Sequence, residues 1–93
     1  NTTIGAIITN GKFDKTKLNK IASMTHNGYA RSINPVHTMA DGDSIYALSV
    51  GEVEADLNTV GTLSARVMSM AIENAIKSAD SMYGLTAYKD LKI

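Results

Sequence analysis

Thr2-Thr3-Ile4-Gly5-Ala6-Ile7-Ile8-Thr9, closed by Asn10-Gly11, is the stretch from which the rest of the chain is read. It is apolar and β-branched almost throughout and ends on a turn pair, which predicts a strand over Thr2–Thr9. Ile4, Ala6 and Ile8 fall on one face, Gly5 and Ile7 on the other, so both faces need cover. Downstream, Asp14 can cap a helix from about Lys15 to Ser32 with an inner stripe of Leu18, Ile21, Ala22, Thr25, Gly28 and Tyr29. Asn34-Pro35 stops that helix. Residues 34–43 read as a polar loop, and Asp43 to Val50 as a second strand, with Ile45 and Ala47 opposed to Tyr46, Leu48 and Val50. Gly51 to Asp56 is an acidic connection, and a long helix follows from about Asn58 to Ser81. Val60, Leu63, Val67, Met70, Ala71 and Asn74 lie on one side of it. Met68, Ile72, Ile76 and Ala79 widen the apolar arc enough for two neighbours. Leu85 to Ile93 reads as an edge strand or a tail.

The predicted class is therefore α/β in the order β-α-β-α, with residues 1–93 forming one segment. Two strands apolar on both faces need layers above and below, and this sequence offers two helices. A partner chain, a missing N-terminal domain or a second copy is expected to complete the sheet.

Nine basic and nine acidic residues give zero formal charge, which argues against a nucleic-acid-binding domain or a polybasic membrane surface. Aromatic residues are too sparse for base-stacking platforms. Without cysteine there is no disulfide or thiolate chemistry, and no apolar run reaches the length of a membrane span. The first residue is not methionine and a strand begins almost at once, so we expect a processed or excised C-terminal portion. Any targeting signal would lie upstream, and a cytoplasmic location is the default expectation.

Chemistry is suggested at two places. Thr2 heads the first strand, and a threonine hydroxyl becomes a nucleophile when a base and charged neighbours assist it. The nearest base is its own α-amino group, freed if the bond after Asn1 is cut, with an ordinary pKa of about 7.7–8.0. The second place is Asp41-Gly42-Asp43. If the two strands are parallel, both strand starts share one sheet edge and the acidic pair comes near Thr2. Two close carboxylates would raise one pKa or hold a cation between them. His37 sits in the loop near this pair, whereas His26 reads as a half-buried packing or capping residue. The two histidines lack zinc-type spacing, the acidic turn lacks the remaining ligands of a calcium loop, and Met24, Met68, Met70 and Met82 read as core filler. No metal or cofactor is implied.

Asn1-Thr2-Thr3-Ile4-Gly5, the helix carrying Met24-Thr25-His26-Asn27-Gly28-Tyr29-Ala30-Arg31-Ser32-Ile33, Pro35-Val36-His37-Thr38 and Asp41-Gly42-Asp43-Ser44-Ile45-Tyr46-Ala47-Leu48 follow one another in a telling order. Over nearly the whole chain they resemble the smaller C-terminal chain of the L-aminopeptidase/D-esterase family, which includes β-aminopeptidases and a nylon-oligomer hydrolase. The resemblance implies a four-layer αββα sandwich and a precursor that cuts itself just before a serine or threonine. It implies a larger α chain as partner, a higher homo-oligomer of αβ units, and small peptides, amides or esters as substrates. Carried over by position, Thr2 is the nucleophile, Asn1–Thr2 the scissile bond, and Asp41 and Asp43 the supporting acidic pair. Some serine-type members carry serine and glutamate in these roles, so the residues here lie nearer the threonine branch. The family's oxyanion-binding asparagine and its tyrosine or lysine belong to the α chain.

Asn1 departs from the pattern of a mature small chain, which begins at its nucleophile. An unprocessed precursor, an isolated segment or a cut elsewhere would each leave Asn1 in place, and with it attached Thr2 has no free amine. Such a chain is expected to be inactive by itself. Thr3 is a weaker nucleophile candidate, since its side chain points to the opposite face. Two rivals stand beside amide hydrolysis: acyl transfer of the ornithine acetyltransferase type, and a non-catalytic interaction domain.

Overall fold

The computed structural model describes residues 1–92, in the order β1 (Ile4–Gly11), α1 (Lys15–Ser32), β2 (Ser44–Val53) and α2 (Leu57–Ser78), followed by a short 3-10 turn at Tyr88–Asp90. The β-α-β-α order is the one read from the sequence. Each helix starts on an aspartate. Asp14 Oδ1 accepts the Lys17 N–H at 2.9 Å, and Asp56 Oδ2 accepts the Thr59 N–H at 2.9 Å and its hydroxyl at 3.1 Å. Each side chain thereby satisfies a first-turn donor that has no partner within the helix.

The two strands pair in parallel, Ile4 opposite Ser44 through Thr9 opposite Ser49. Ladder bonds continue beyond the strand start: Ser44 N–H donates to Thr3 O at 2.9 Å and Gly42 N–H to Asn1 O at 2.9 Å. At the far end β2 runs longer than expected. Gly51, Glu52 and Val53, which read as acidic connection, remain in the strand, because a bulge lets Gly11 pair with Val53. Their polar, glycine-led composition hides the strand, since bulged residues break the two-residue period. Gly51 is obligatory there: a Cβ would run into the Asn10 carbonyl oxygen.

Both helices lie on one face of the sheet. A Cβ on Gly5 would stand 2.6 Å from the Tyr29 hydroxyl and 2.8 Å from Met68 Cε, so odd-numbered residues of β1 face the helices. Ile7, Phe13 and Ile21 form the buried core, with Leu18, Ile45, Ala47, Leu57 and Val60 packed around it. The opposite face is open: Ile4 is 70% exposed, Ile8 64% and Tyr46 63%, and Leu48 and Val50 join them. Together these side chains make a contiguous apolar strip on the sheet face away from the helices.

The expected apolar arc of α2 is covered only in part: Val60 packs on the core and Met68 is buried. The buried residues of the helix are Gly61, Ser64, Ala65 and Met68, whereas Leu63, Val67 and Met70 are about half exposed. Small residues win because α1 and α2 cross closely. A methyl on Gly28 would strike the Ala65 carbonyl, and one on Gly61 would strike the Met24 thioether. The periodicity of large apolar residues pointed to the other stripe. α2 also ends at Ser78, before the expected Ser81. Beyond it, Met82 and Leu85 bridge across a tight turn in which Tyr83 and Gly84 take positive φ of 56° and 78°. No edge strand joins the sheet among the described residues, and Ile93 lies outside them.

Candidate active site

Parallel pairing brings the head of β1 and the residues before β2 to the same edge, as the sequence reading required. Asp43 ties the two together. Its Oδ1 accepts the Thr3 N–H at 2.8 Å, and its Oδ2 accepts the His37 N–H at 2.8 Å. One carboxylate therefore fixes both the backbone after Thr2 and the loop from α1. His37 occupies the left-handed region with φ 54°, which sets its N–H toward Asp43 at the cost of an uncommon conformation.

Asp41 is held by a different partner. Its Oδ2 accepts the Thr38 N–H at 2.9 Å and the Thr38 hydroxyl at 2.8 Å, while the Asp41 N–H returns a bond to Thr38 O at 3.1 Å. The Thr38 backbone bond first, and its hydroxyl second, hold the Asp41 carboxyl below the ordinary carboxylate range. The acidic pair thus does not behave as a shared-proton dyad at Asp41, whose pKa falls instead of rising. Among the described residues no three His, Cys, Asp or Glu side chains are grouped to hold a metal ion.

Thr2 sits between these anchors. A Cβ on Gly42 would be 3.1 Å from Thr2 Oγ1, so the hydroxyl rests beside the glycine that separates Asp41 from Asp43. Neither carboxylate is hydrogen-bonded to Thr2 Oγ1, which lies beside Gly42 at the middle of the acidic turn. By the two-residue period of a strand, Thr2 shares the open face with Ile4 and Ile8, while Thr3 points toward the helices.

Behind the edge lies a ring cluster. His26 and His37 stack with centroids 4.7 Å apart, and His26 meets Tyr29 edge-on at 5.2 Å. His26 is half-buried, as expected of a packing residue, and its Nδ1 is buried without a hydrogen-bond partner. Burial first, then His37, lowers its pKa, against an opposing pull from Asp43. Tyr29 is fully buried, and its hydroxyl donates to Ser44 O at 3.0 Å, with Thr3 O 3.5 Å away. Burial chiefly, and Asp43 after it, raises the Tyr29 pKa, so the phenol stays a donor.

Sequence reading named Thr2, Asp41, Asp43 and His37. It placed Tyr29 only in the apolar stripe, and it missed Thr38 as the partner of Asp41 and Gly42 as the neighbour of Thr2. A Thr-x-x-Asp spacing is the signal that could have found Thr38, since side-chain and backbone bonds three residues apart close such loops.

The sequence model of peptidase family S58 matches residues 1–89. The chain is 32% identical over 106 residues to an uncharacterized aminopeptidase of Mycobacterium tuberculosis, covering 98% of this chain and 31% of that protein. A second uncharacterized aminopeptidase, from Mycobacterium leprae, is 30% identical over 103 residues, covering 95% of this chain and 28% of that protein. A 6-aminohexanoate-oligomer endohydrolase of Kocuria sp. is 31% identical over 90 residues, covering 83% of this chain and 25% of its own. The chain thus spans under a third of the length of these curated relatives. No solved structure matches it. With a match over nearly its full length and relatives named as aminopeptidases and oligomer hydrolases, the chain belongs to peptidase family S58, the L-aminopeptidase/D-esterase family.

Proposed function

We propose that this chain carries the nucleophile of a self-processing threonine aminopeptidase or amidohydrolase acting on short peptides, amides or esters. The observation that carries the reading is the seat of the Thr2 hydroxyl, beside Gly42 and between two anchored aspartates, at the edge of an uncovered sheet face. The relatives' printed names, aminopeptidase and 6-aminohexanoate-oligomer endohydrolase, support hydrolysis of an amide bond.

In this proposal Thr2 Oγ1 first attacks the Asn1 carbonyl, and the resulting ester is hydrolysed to free the Thr2 amine. That amine then takes the hydroxyl proton as Oγ1 attacks the substrate, and returns it to the leaving group. Asp41, held ionised by Thr38, offers a fixed negative charge to the ammonium that forms. Asp43 keeps the Thr2–Thr3 backbone in register with the turn. Thr2 shares its face with the open apolar strip of Ile4, Ile8, Tyr46 and Leu48. We therefore assign cover of that face to the rest of the precursor, giving the αββα sandwich, with the substrate bound between the layers.

The test is the full-length precursor with Thr2→Ala, followed by intact mass spectrometry and amino-acyl p-nitroanilide hydrolysis. A folded, unsplit and inactive protein is expected. Normal splitting and turnover would remove Thr2 from the mechanism and favour an interaction domain.

A further inference from the structure

The backbone N–H of Gly42 donates to Asn1 O at 2.9 Å. In the proposed reaction that oxygen belongs to the carbonyl that Thr2 attacks, so a ladder hydrogen bond falls on the group whose charge must grow. We infer that the Gly42 N–H is an oxyanion donor serving both reactions: it stabilises the Asn1 oxygen during self-cleavage and afterwards receives the substrate's carbonyl oxygen in the same place. This rests on Thr2 being the nucleophile.

Three observations lead there. The strand is pinned immediately after the reacting bond, because Thr3 N–H binds Asp43 Oδ1 and Thr3 O accepts from Ser44 N–H. Thr2 therefore keeps its place when Asn1 departs. Gly42 offers its N–H with no side chain between it and the nucleophile; any Cβ would crowd Thr2 Oγ1 at 3.1 Å. Removal of Asn1 then takes away the ladder acceptor of the exposed Gly42 N–H and leaves that donor free, beside Thr2 Oγ1, for another acceptor. A substrate attacked by the same Oγ1 brings its carbonyl oxygen to that vacated acceptor position.

The self-cleavage step balances as an N-to-O acyl shift. The Oγ1–C bond to the Asn1 carbonyl carbon forms, and the Asn1–Thr2 C–N bond breaks. The proton lost by Oγ1 ends on the Thr2 nitrogen. Water then cleaves the ester to give the Asn1 carboxylate and free Thr2. Negative charge peaks on the Asn1 oxygen at the tetrahedral stage, when a preset N–H has most effect.

The test replaces Gly42 in the full precursor by glycolic acid, turning one amide into an ester and deleting the N–H without adding a Cβ. Chain splitting should slow about 10²–10³-fold, the usual cost of one oxyanion donor. In enzyme assembled with a chain that starts at Thr2, kcat should fall by a similar factor with KM little changed. The rate ratio between a carbonyl ester and its thionoester should also collapse toward one, which loss of mere scaffolding would not produce. Splitting within about twofold of the parent, or an unchanged ratio, overturns the inference. Should the ester-containing chain misfold, hydrogen exchange at Gly42 in unsubstituted protein decides. Protection is expected in the uncut Thr2→Ala precursor, lost in cut enzyme and regained with a peptide aldehyde on Oγ1; equal exchange in all three overturns it. Normal splitting of Thr2→Ala would instead refute the nucleophile assignment, a separable failure.

Discussion

Asp43→Asn isolates what the carboxylate does at the head of β1. Asp43 accepts two backbone N–H bonds, from Thr3 and from His37, each 2.8 Å long. Hydrogen bonds to a charged acceptor are worth about 1.5–3 kcal/mol each. Asparagine keeps one acceptor oxygen but turns an NH₂ toward the other N–H, so one bond weakens to about 1 kcal/mol and one is lost. The His37 side is exposed and water can replace it, whereas the Thr3 side is partly buried. The net cost should therefore be about 1–3 kcal/mol, with Asp43→Ala costing about 1 kcal/mol more. Urea unfolding of the full precursor carrying Thr2→Ala measures the stability without self-cleavage. The half-time of chain splitting, measured with Thr2 restored, reports the site. Loss of the clamp lets Thr2 drift from Gly42, so splitting should slow with both variants, more with alanine. If both variants unfold and split like the parent, Asp43 is no clamp. If stability is unchanged but splitting is abolished by both, its action lies in the chemistry and the positional reasoning fails.

Tyr29→Phe removes the donor to Ser44 O and should destabilise the same precursor by about 1–2 kcal/mol in urea, with the strand ends loosened in hydrogen exchange at Thr3 and Ser44. Gly28→Ala drives a methyl against the Ala65 carbonyl and should cost about 1–3 kcal/mol by overpacking, read from the same urea midpoint. His26 has a folded pKa below its ordinary 6.5, so the unfolded state takes up the proton first. Its stabilising contribution is full above about pH 6.5 and is lost as pH falls toward the folded pKa. His26→Asn should flatten the urea midpoint over that window. Asp41 has a depressed pKa, so its contribution is present above about pH 3.9 and fades on acidification below it. Thr38→Val should bring the Asp41 titration, followed by carboxylate NMR, back up toward the ordinary value.

Several features were legible in the sequence for a physical reason. β1 and β2 were legible as short apolar runs, β1 rich in β-branched residues and closed by Asn10-Gly11, a composition that suits a pleated, packed strand. Asp14 as a cap and the Asn34-Pro35 stop are local chemistry, readable within a few residues. The inner face of α2 was not legible, because close helix crossing selects Gly61 and Ala65 by size, while a hydrophobic period weighs Leu63 and Val67 more heavily. The end of β2 was hidden by the bulge that carries Gly51 past Asn10. At the candidate site, residue types pointed to Thr2, Asp41 and Asp43, which the parallel pairing brings to one sheet edge. That the hydroxyl would lie beside Gly42 without a hydrogen bond to either carboxylate depends on strand register, which no spacing along the chain encodes.

The same register explains why the chemistry and the uncovered surface belong together. In a parallel pair, opposed residues point to the same side, so the alternation that sends Gly5, Ile7, Ile45 and Ala47 to the helices sends Ile4, Ile8, Tyr46 and Leu48 outward. Thr2 continues the outward series. A hydroxyl on the helix-covered face would sit behind Tyr29 and Met68, closed to any substrate. On the proposed reading, the cover of Ile4 and Tyr46 would also complete the surroundings of Thr2 on the open face, so that cover and substrate pocket would share one interface. Ile8→Glu, on the same strip but some six residues from Thr2, should therefore impair association of the two halves without touching the acidic turn. A dimension such as subunit retention on size exclusion would fall while Asp41 and Asp43 keep their bonds. If that variant assembled and turned over normally, the open strip would not be the surface on which the site is built.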